Sequence, residues 1–318
     1  MLKNLLFALN ATVPMLLLLA LGFLIRKARV VDEQFVKTAN DFNFKVTIPA
    51  MLFVDMAMAD FRDTFHPEFL IFCIAVTLIS IFGIWGITKL VMRRDKASVG
   101  EFVQASFRCS LAINGMALIQ NIYGNTSMAG MMMLCSVPLY NICSVILLQV
   151  ESPRREELQG SRRLRATLLG IVKNPIIIGI IAGFLSSLVG IDYPEFIDKS
   201  LNYVGRIGTP FALMCIGADF DFKKAFGKIG KSGLASAIKL IFLPLIFLPV
   251  AIGLGFRAEE LASILVMLAG PTTPVSFIMA KKYGHEGIIS SSAIALTTLL
   301  SSLTMALFVF ALKSMGYI

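Results

Sequence analysis

The sequence predicts an all-α integral membrane protein: ten transmembrane helices forming two inverted five-helix repeats, with helices 4 and 9 broken and crossed at mid-membrane. Three observations carry that expectation. The 318 residues are 57% hydrophobic and 15% charged, with a mean hydropathy of +0.79. Lysine and arginine concentrate in alternate loops. The second half also echoes the first at an offset of 161 residues. Pro14 falls on Pro175, Gly22-Phe23 on Gly183-Phe184, Lys45 on Arg206, Pro49 on Pro210, Leu52 on Leu213 and Ala57 on Ala218. Late in each half the register slips by one, and Tyr123-Gly124 meets Tyr283-Gly284. Duplicated bundles of membrane helices are how many secondary transporters are built, so the repeat speaks to function as well as fold.

Crossing the hydrocarbon takes about 20 apolar residues. Ten stretches qualify: 5–25, 34–58, 67–92, 102–122, 126–149, 174–190, 200–220, 232–255, 258–280 and 287–312. They fill the chain as one polytopic domain, 1–318. Residues 1–150 form the first repeat, 151–170 a cytoplasmic linker, and 171–318 the second repeat. Span 1 has an apolar run longer than the roughly 7–15 residues of a signal peptide, no small-x-small cleavage site, and its positive charges after it. It is expected to remain as a helix.

The net charge is +9, with a pI near 9.4. Its placement argues against nucleic acid, because the basic residues sit in separate short loops rather than on one face. Arg26, Lys27 and Arg29, then Arg93, Arg94 and Lys96, then Arg154 to Arg165, then Lys223 to Lys231, then Lys281 and Lys282 mark one side. The loops between them are acidic or sparse. That is the positive-inside bias, and it places both termini outside the cytoplasm of a multi-pass inner (plasma) membrane protein. Each repeat has an odd number of spans, so the second copy enters from the opposite side. Span 2 is then expected to end outside at Asp60, and span 7 inside at Asp221.

Prolines punctuate the spans. Pro14 and Pro175 sit near the starts of spans 1 and 6, where the missing N–H would be unbonded anyway. Pro49 and Pro210 lie inside spans 2 and 7 and are expected to kink them. Span 9 is different. Ala269-Gly270-Pro271-Thr272-Thr273-Pro274-Val275-Ser276 removes two ladder donors within a turn, and unpaired backbone survives in a membrane only inside protein or at a polar cavity. Thr272, Thr273 and Ser276 add hydroxyls there. In the aligned copy, Asn114-Gly115 falls at the middle of span 4, opposite Pro274-Val275. Two broken helices would present two half-helix N-termini, each with spare N–H groups and partial positive charge suited to an anion. Asn141 in span 5 is a further mid-membrane amide, beside the crossing or holding the bundle together.

The ionisable residues inside spans are mostly cations: Lys45, Arg108, Arg206 and Lys239. Snorkelling to the headgroups is one reading. Lys239 has a second one, as a fixed ammonium standing in for a co-transported cation. Asp55 is the only acid well inside a span, so the carboxylate pair of a cation antiporter is missing. The five cysteines all fall in spans without a Cys-x-x-Cys, which reads as buried small apolar residues with no disulfide frame and no metal site. No cofactor is expected. Enzyme motifs are lacking too, and His66 and His285 sit at span ends on opposite sides.

The ordered set of Ile48-Pro49-Ala50-Met51-Leu52-Phe53, Val137-Pro138-Leu139-Tyr140-Asn141, Lys173-Asn174-Pro175, Thr209-Pro210-Phe211-Ala212-Leu213, Lys239 with Pro244, and Gly270-Pro271-Thr272 resembles the auxin efflux carrier family in its compact bacterial form. The resemblance covers nearly the whole chain. It implies a fold shared with bile-acid and sodium–proton carriers, with spans 1, 2, 6 and 7 as an often dimeric scaffold. Spans 3–5 and 8–10 would form a transport domain whose crossed spans 4 and 9 hold a small carboxylate. Two departures stand out. Gly115-Met116-Ala117 lacks the proline of the family's Gly-x-Pro, and Ser110 stands where the family has asparagine, with Asn114 at a usually apolar position. The crossing is therefore expected to be opened by proline only in span 9.

The resulting expectation is a secondary carrier exporting a small organic anion by an elevator-like motion, as a homodimer in the lipid bilayer. Asn114, Gly115, Asn141, Pro271, Thr272, Thr273, Pro274 and Ser276 would form the substrate site, with Lys239 and Arg108 as its charges. A sodium- or proton-coupled symporter of the same fold is the alternative within transport. A ligand sensor would need an output surface, and Glu151 to Arg165 is the only stretch that offers one.

Overall fold

Long apolar runs bounded by charged caps leave the backbone only one way to satisfy itself in lipid, and the chain takes it. The computed structural model describes residues 2–57, 66–111, 118–120, 122–124, 126–153 and 169–318, with side chains from Thr12 onward. Helices account for the regular structure, and no strand occurs among the described residues. In chain order they are α1 (Leu2–Lys27), α2 (Glu33–Phe42), α3 (Ile48–Ala57), α4 (Pro67–Val91), α5 (Lys96–Phe107), α6 (Ser127–Val150) and α7 (Pro175–Val189). They continue with α8 (Glu195–Asp219), α9 (Phe222–Gly227), α10 (Ile229–Ala237), α11 (Leu243–Gly253), α12 (Ala258–Ala269), α13 (Val275–Lys282) and α14 (Ile288–Ser314).

Among the described residues four stretches are long and apolar enough to cross a membrane: Pro67–Val91, Ser127–Val150, Ile229–Gly253 and Ile288–Ser314. Their outward faces carry Ile71, Phe82, Leu90, Leu303 and Phe310 in the open, a pattern suited to lipid rather than water. Lys45 and Arg206 are also exposed, as snorkelling cations would be. Arg108 and Lys239 are buried, at 3% and 0% exposure, so snorkelling does not account for them.

The prolines act in three ways. Pro175 opens α7 behind Asn174, whose side chain accepts from the Ile176 N–H at 2.8 Å. Pro14 departs from expectation: α1 begins at Leu2, so this proline lies in the helix interior. Pro49 and Pro244 each follow a π-helical turn by one residue. Asn43–Thr47 joins α2 to α3, with the Ile48 N–H reaching Asn43 O. Ile238–Phe242 joins α10 to α11, with the Leu243 N–H reaching Ile238 O. The wide turn moves the carbonyl that a proline ring would strike, so each rod continues instead of breaking.

The helices pack into two bodies with separate cores. In the first, α1 lies on α8, and α3 lies on both α7 and α8. Met15, Ile48, Leu52, Ile176, Ile180, Leu213 and Ile216 fill its centre. In the second, α4 packs on α5 and α6, α10 and α14 on α5, and α12 on α6 and α11. Phe69, Phe72, Val103, Met132, Leu261 and Leu265 are buried there. Two close contacts inside the first body fall at the same offset as the sequence echo. Gly22 of α1 meets the Met214 backbone of α8, and at the offset of 161 Gly183 of α7 meets the Phe53 backbone of α3. A side chain at either glycine would strike a carbonyl, so both pairs of helices need glycine to close. Short α13 buries Val275, Phe277, Ile278 and Met279 in the first body's core, beside Val145 and Leu148 of α6 and Ile294 of α14, and still touches α5 and α14.

Candidate functional site

Helices α5 and α12 are both 12 residues long and start 162 residues apart, at Lys96 and Ala258. They end alike. Arg108 has φ −65°, ψ 143° and Gly270 has φ −67°, ψ 157°, both extended. The first break thus begins at Arg108, six residues before Asn114, and without a proline. Asn114 and Gly115 lie outside the described residues. In the second break the chain stays non-helical through Thr273 and resumes as α13 after Pro274.

A helix end leaves carbonyls without partners, and inside a membrane these need donors from the protein. Each break caps the helix of the other. The Thr272 hydroxyl donates to Ala105 O of α5 at 2.9 Å, and the Cys109 thiol donates to Val266 O of α12 at 3.3 Å. Between them the Ser110 N–H donates to Pro271 O at 2.8 Å. The π turn in the α10–α11 rod carries Lys239, whose ammonium donates to Met267 O at 2.8 Å; the Tyr140 hydroxyl reaches the same carbonyl at 3.4 Å. A cation at a helix C-terminus answers the negative end of its dipole. Gly270 is required by closeness alone: a Cβ would run into Cys109 Sγ and stand 2.8 Å from Val266 O.

A cleft opens beside this junction, between the two bodies, with a cavity volume of about 60 Å³. From the second body come Arg108, Cys109, Ser110 and Leu111, then Met133, Val137, Tyr140 and Asn141 of α6; Thr273 and Val275 line it from the second break and the start of α13. From the first come Met51, Leu52 and Asp55 of α3 and Thr209 of α8. The Arg108 guanidinium donates to Asn141 Oδ1 at 2.9 Å and rests 2.7 Å from Met279 Sδ. Its Nε has no partner, and no acid pairs with it among the described residues. Asn141 in turn donates to Val137 O at 2.9 Å, which orients the amide.

The cleft therefore brings together Arg108, Asn141 and Thr273 of the expected site residues. Pro271, Thr272, Pro274 and Ser276 are buried behind its wall. Thr272 is fully engaged, its N–H held by Thr297 Oγ1 at 3.0 Å and its hydroxyl by Ala105. It props the break open rather than facing the cleft. Ser276 donates its N–H to Thr273 O at 3.0 Å, and its hydroxyl has no partner. Lys239 sits beyond α12, off the cleft. Cys109 carried no sequence signal as a site residue, and Ser110 and Tyr140 stood out only through the family resemblance, because the roles of all three depend on which group lies opposite.

At the end of α13, three consecutive residues tie it to the first body. Lys281 Nζ pairs with Asp219 of α8 at 2.7 Å, Lys282 Nζ with Asp41 of α2 at 2.8 Å, and the Tyr283 hydroxyl accepts from Asn174 Nδ2 at 2.7 Å. Burial pushes the Tyr283 hydroxyl up to about 12 against the lowering pull of Asn174, so it stays protonated.

The family model described as Membrane transport protein matches residues 7–309. Among similar proteins, "Uncharacterized transporter YfdV" of Escherichia coli (strain K12) is 21% identical over 299 residues, 92% of this chain and 94% of that protein. "Putative malonate transporter" of Rhizobium meliloti (strain 1021) is 22% identical over 315 residues, 95% of this chain and 94% of its own. "Auxin efflux carrier component 3a" of Oryza sativa subsp. japonica is 26% identical over 131 residues, 39% of this chain and 21% of its own.

Proposed function

The chain belongs to the membrane transport protein family that includes the auxin efflux carriers, a multi-pass family of transmembrane transport, and on that premise we propose that it carries a small organic anion through the cleft between its two bodies. The observation that carries the substrate's sign is Arg108, a buried guanidinium at the cleft wall with no acidic partner among the described residues. A buried charge left uncompensated is costly, and a bound carboxylate supplies the missing counter-ion. Asn141 holds the guanidinium in place, Thr273 adds a hydroxyl, and the buried Lys239 adds a second fixed cation behind the break. Pro271 and Pro274 keep the helix open, with Thr272 and Ser276 as supports. Asn114 and Gly115, outside the described residues, are further candidate contacts by their sequence position in span 4. The malonate named for one relative is a carboxylate of this class.

The finer architecture follows the same reading: ten spans in two inverted repeats, 1–150 and 171–318, joined by a linker at 151–170, in the inner membrane with both termini outside. The separate cores of the two bodies support an elevator, with the second body sliding on a scaffold that dimerises, and the direction is outward. Asp55 at the cleft favours one alternative, a proton- or sodium-coupled symport.

A thermal-shift screen of small mono- and dicarboxylates on the purified protein is the first test, followed by flux in proteoliposomes with and without sodium and proton gradients. Stabilisation by a carboxylate that disappears in Arg108→Gln supports the carrier. Stabilisation by none, with no flux, removes the reading. Flux that needs an ion gradient moves it to the symporter.

A further inference from the structure

The two walls of the cleft carry opposite charges that do not meet. Arg108 belongs to the break after α5 in the second body, and Asp55 to α3 in the first. No ion pair joins them, and no other side chain among the described residues is paired with Asp55. Opposite charges in a partly dry cleft attract strongly, and a gap between them is stable when something spans it. The same lining includes Met51, Leu52, Val137 and Val275, apolar side chains suited to methylene groups.

We infer that the cleft takes a small monocarboxylate whose far end carries a hydrogen-bond donor, an ammonium or a hydroxyl, with its carboxylate on Arg108 and its donor on Asp55. The inference rests on the carrier reading above and names the substrate class of that same site. Asp55 then does two things. It accepts from the donor, and it repels a second carboxylate, so that selection against dicarboxylates is built into the scaffold wall. A ligand of this form also bridges the two bodies, so binding at the cleft reports to both.

The test is calorimetric titration of the full chain in nanodiscs with butanoate, 4-hydroxybutanoate, 4-aminobutanoate and succinate, together with the three- and five-carbon homologues of each. The donor-bearing acids are expected to bind at least tenfold tighter than the dicarboxylate of equal length. Asp55→Asn is expected to cut that ratio tenfold or more while leaving butanoate within twofold. Asp55→Glu keeps the charge and is expected to keep the ranking, which separates lost recognition from lost folding. A dicarboxylate that binds tightest in the parent, with an unchanged ratio in Asp55→Asn, overturns the inference and leaves the carrier reading standing. Binding of none of these acids to a protein that still melts cooperatively overturns both.

Discussion

The backbone N–H of Ser110 donates to the carbonyl oxygen of Pro271 at 2.8 Å, and that single bond joins two helices at the point where each has lost its own ladder. On either side of it, Thr272 caps α5 and Cys109 caps α12. The breaks are thus satisfied by one another. This reciprocity lets unwound backbone persist at depth, where each unpaired polar group costs several kcal/mol. It also leaves the cleft side of the junction for Arg108, Asn141 and Thr273.

Replacing Pro271 and Pro274 together by alanine restores two ladder donors. Each interior proline disfavours helix by about 3 kcal/mol relative to alanine, against which the lost Ser110 and Thr272 bonds weigh about 1 kcal/mol each. The double variant is expected to express and melt like the parent or higher, while carboxylate binding falls at least tenfold. Parental binding and transport in that variant mean that the break is only a kink.

Gly270→Ala introduces a Cβ against Cys109 Sγ and Val266 O. The sulfur can move but the carbonyl cannot without disturbing α12, so a loss of about 1–3 kcal/mol is expected. Adding Cys109→Ala removes the first clash and recovers part of the loss. Melting curves of the single and double variants check this, and a Gly270→Ala protein as stable as the parent shows that the two breaks are not so tightly apposed.

The three ties at the end of α13 act on one helix. Lys281→Ala, Lys282→Ala and Tyr283→Phe together remove two ion pairs about a third exposed, worth about 0.2–1 kcal/mol each, and one hydrogen bond worth about 1 kcal/mol. Hydrogen exchange across 275–287 is expected to accelerate about tenfold with little change in overall melting. Unchanged exchange shows that the core contacts of Phe277 and Ile278 hold α13 alone.

Asp95 pairs with Lys231, linking the loop before α5 to α10. Desolvation raises its carboxyl, but the hydrogen bond from Lys231 and the charges of Lys231 and Lys228 together hold it below the usual range. A lowered folded-state value means stability that is present above the unfolded value of about 3.9 and lost as pH falls through the folded one. Asp95→Asn is expected to lower the melting temperature by up to about 2 °C at pH 7, as befits a partly exposed pair, and by less near pH 3. A gap that widens toward acid contradicts the pairing.

The inverted arrangement has a topological test. Single cysteines near Arg94 and Arg162 are expected to label only from the cytoplasmic side, and one near Glu195 only from outside. Labelling of Glu195 and Arg162 from one side rules out the inversion, and a monomer in native mass spectrometry from mild detergent rules out the homodimer.

Much of the fold was legible in the sequence because lipid leaves so little choice. Apolar length set where helices begin and end, and the expected stretches at 67–92, 126–149 and 287–312 lie within two residues of α4, α6 and α14. Gly270-Pro271 and Pro274 announced the second break, since proline removes a donor wherever it stands. The first break had no such mark. It begins at Arg108, where the backbone turns extended and the next residues meet Pro271 and Val266, partners distant in the chain. Pattern also could not tell Lys45 and Arg206, which reach the surface, from Arg108 and Lys239, which are buried against an amide and a helix-end carbonyl. Whether a charge snorkels or stays inside depends on which partner the packing brings to it. The sequence by itself determined the all-helical membrane class, the long apolar helices α4, α6 and α14, and the proline break, all properties of local chemistry. The cleft, its opposed charges and the capping of each break by the other were decided by tertiary structure, because each needs donors and acceptors from different helices.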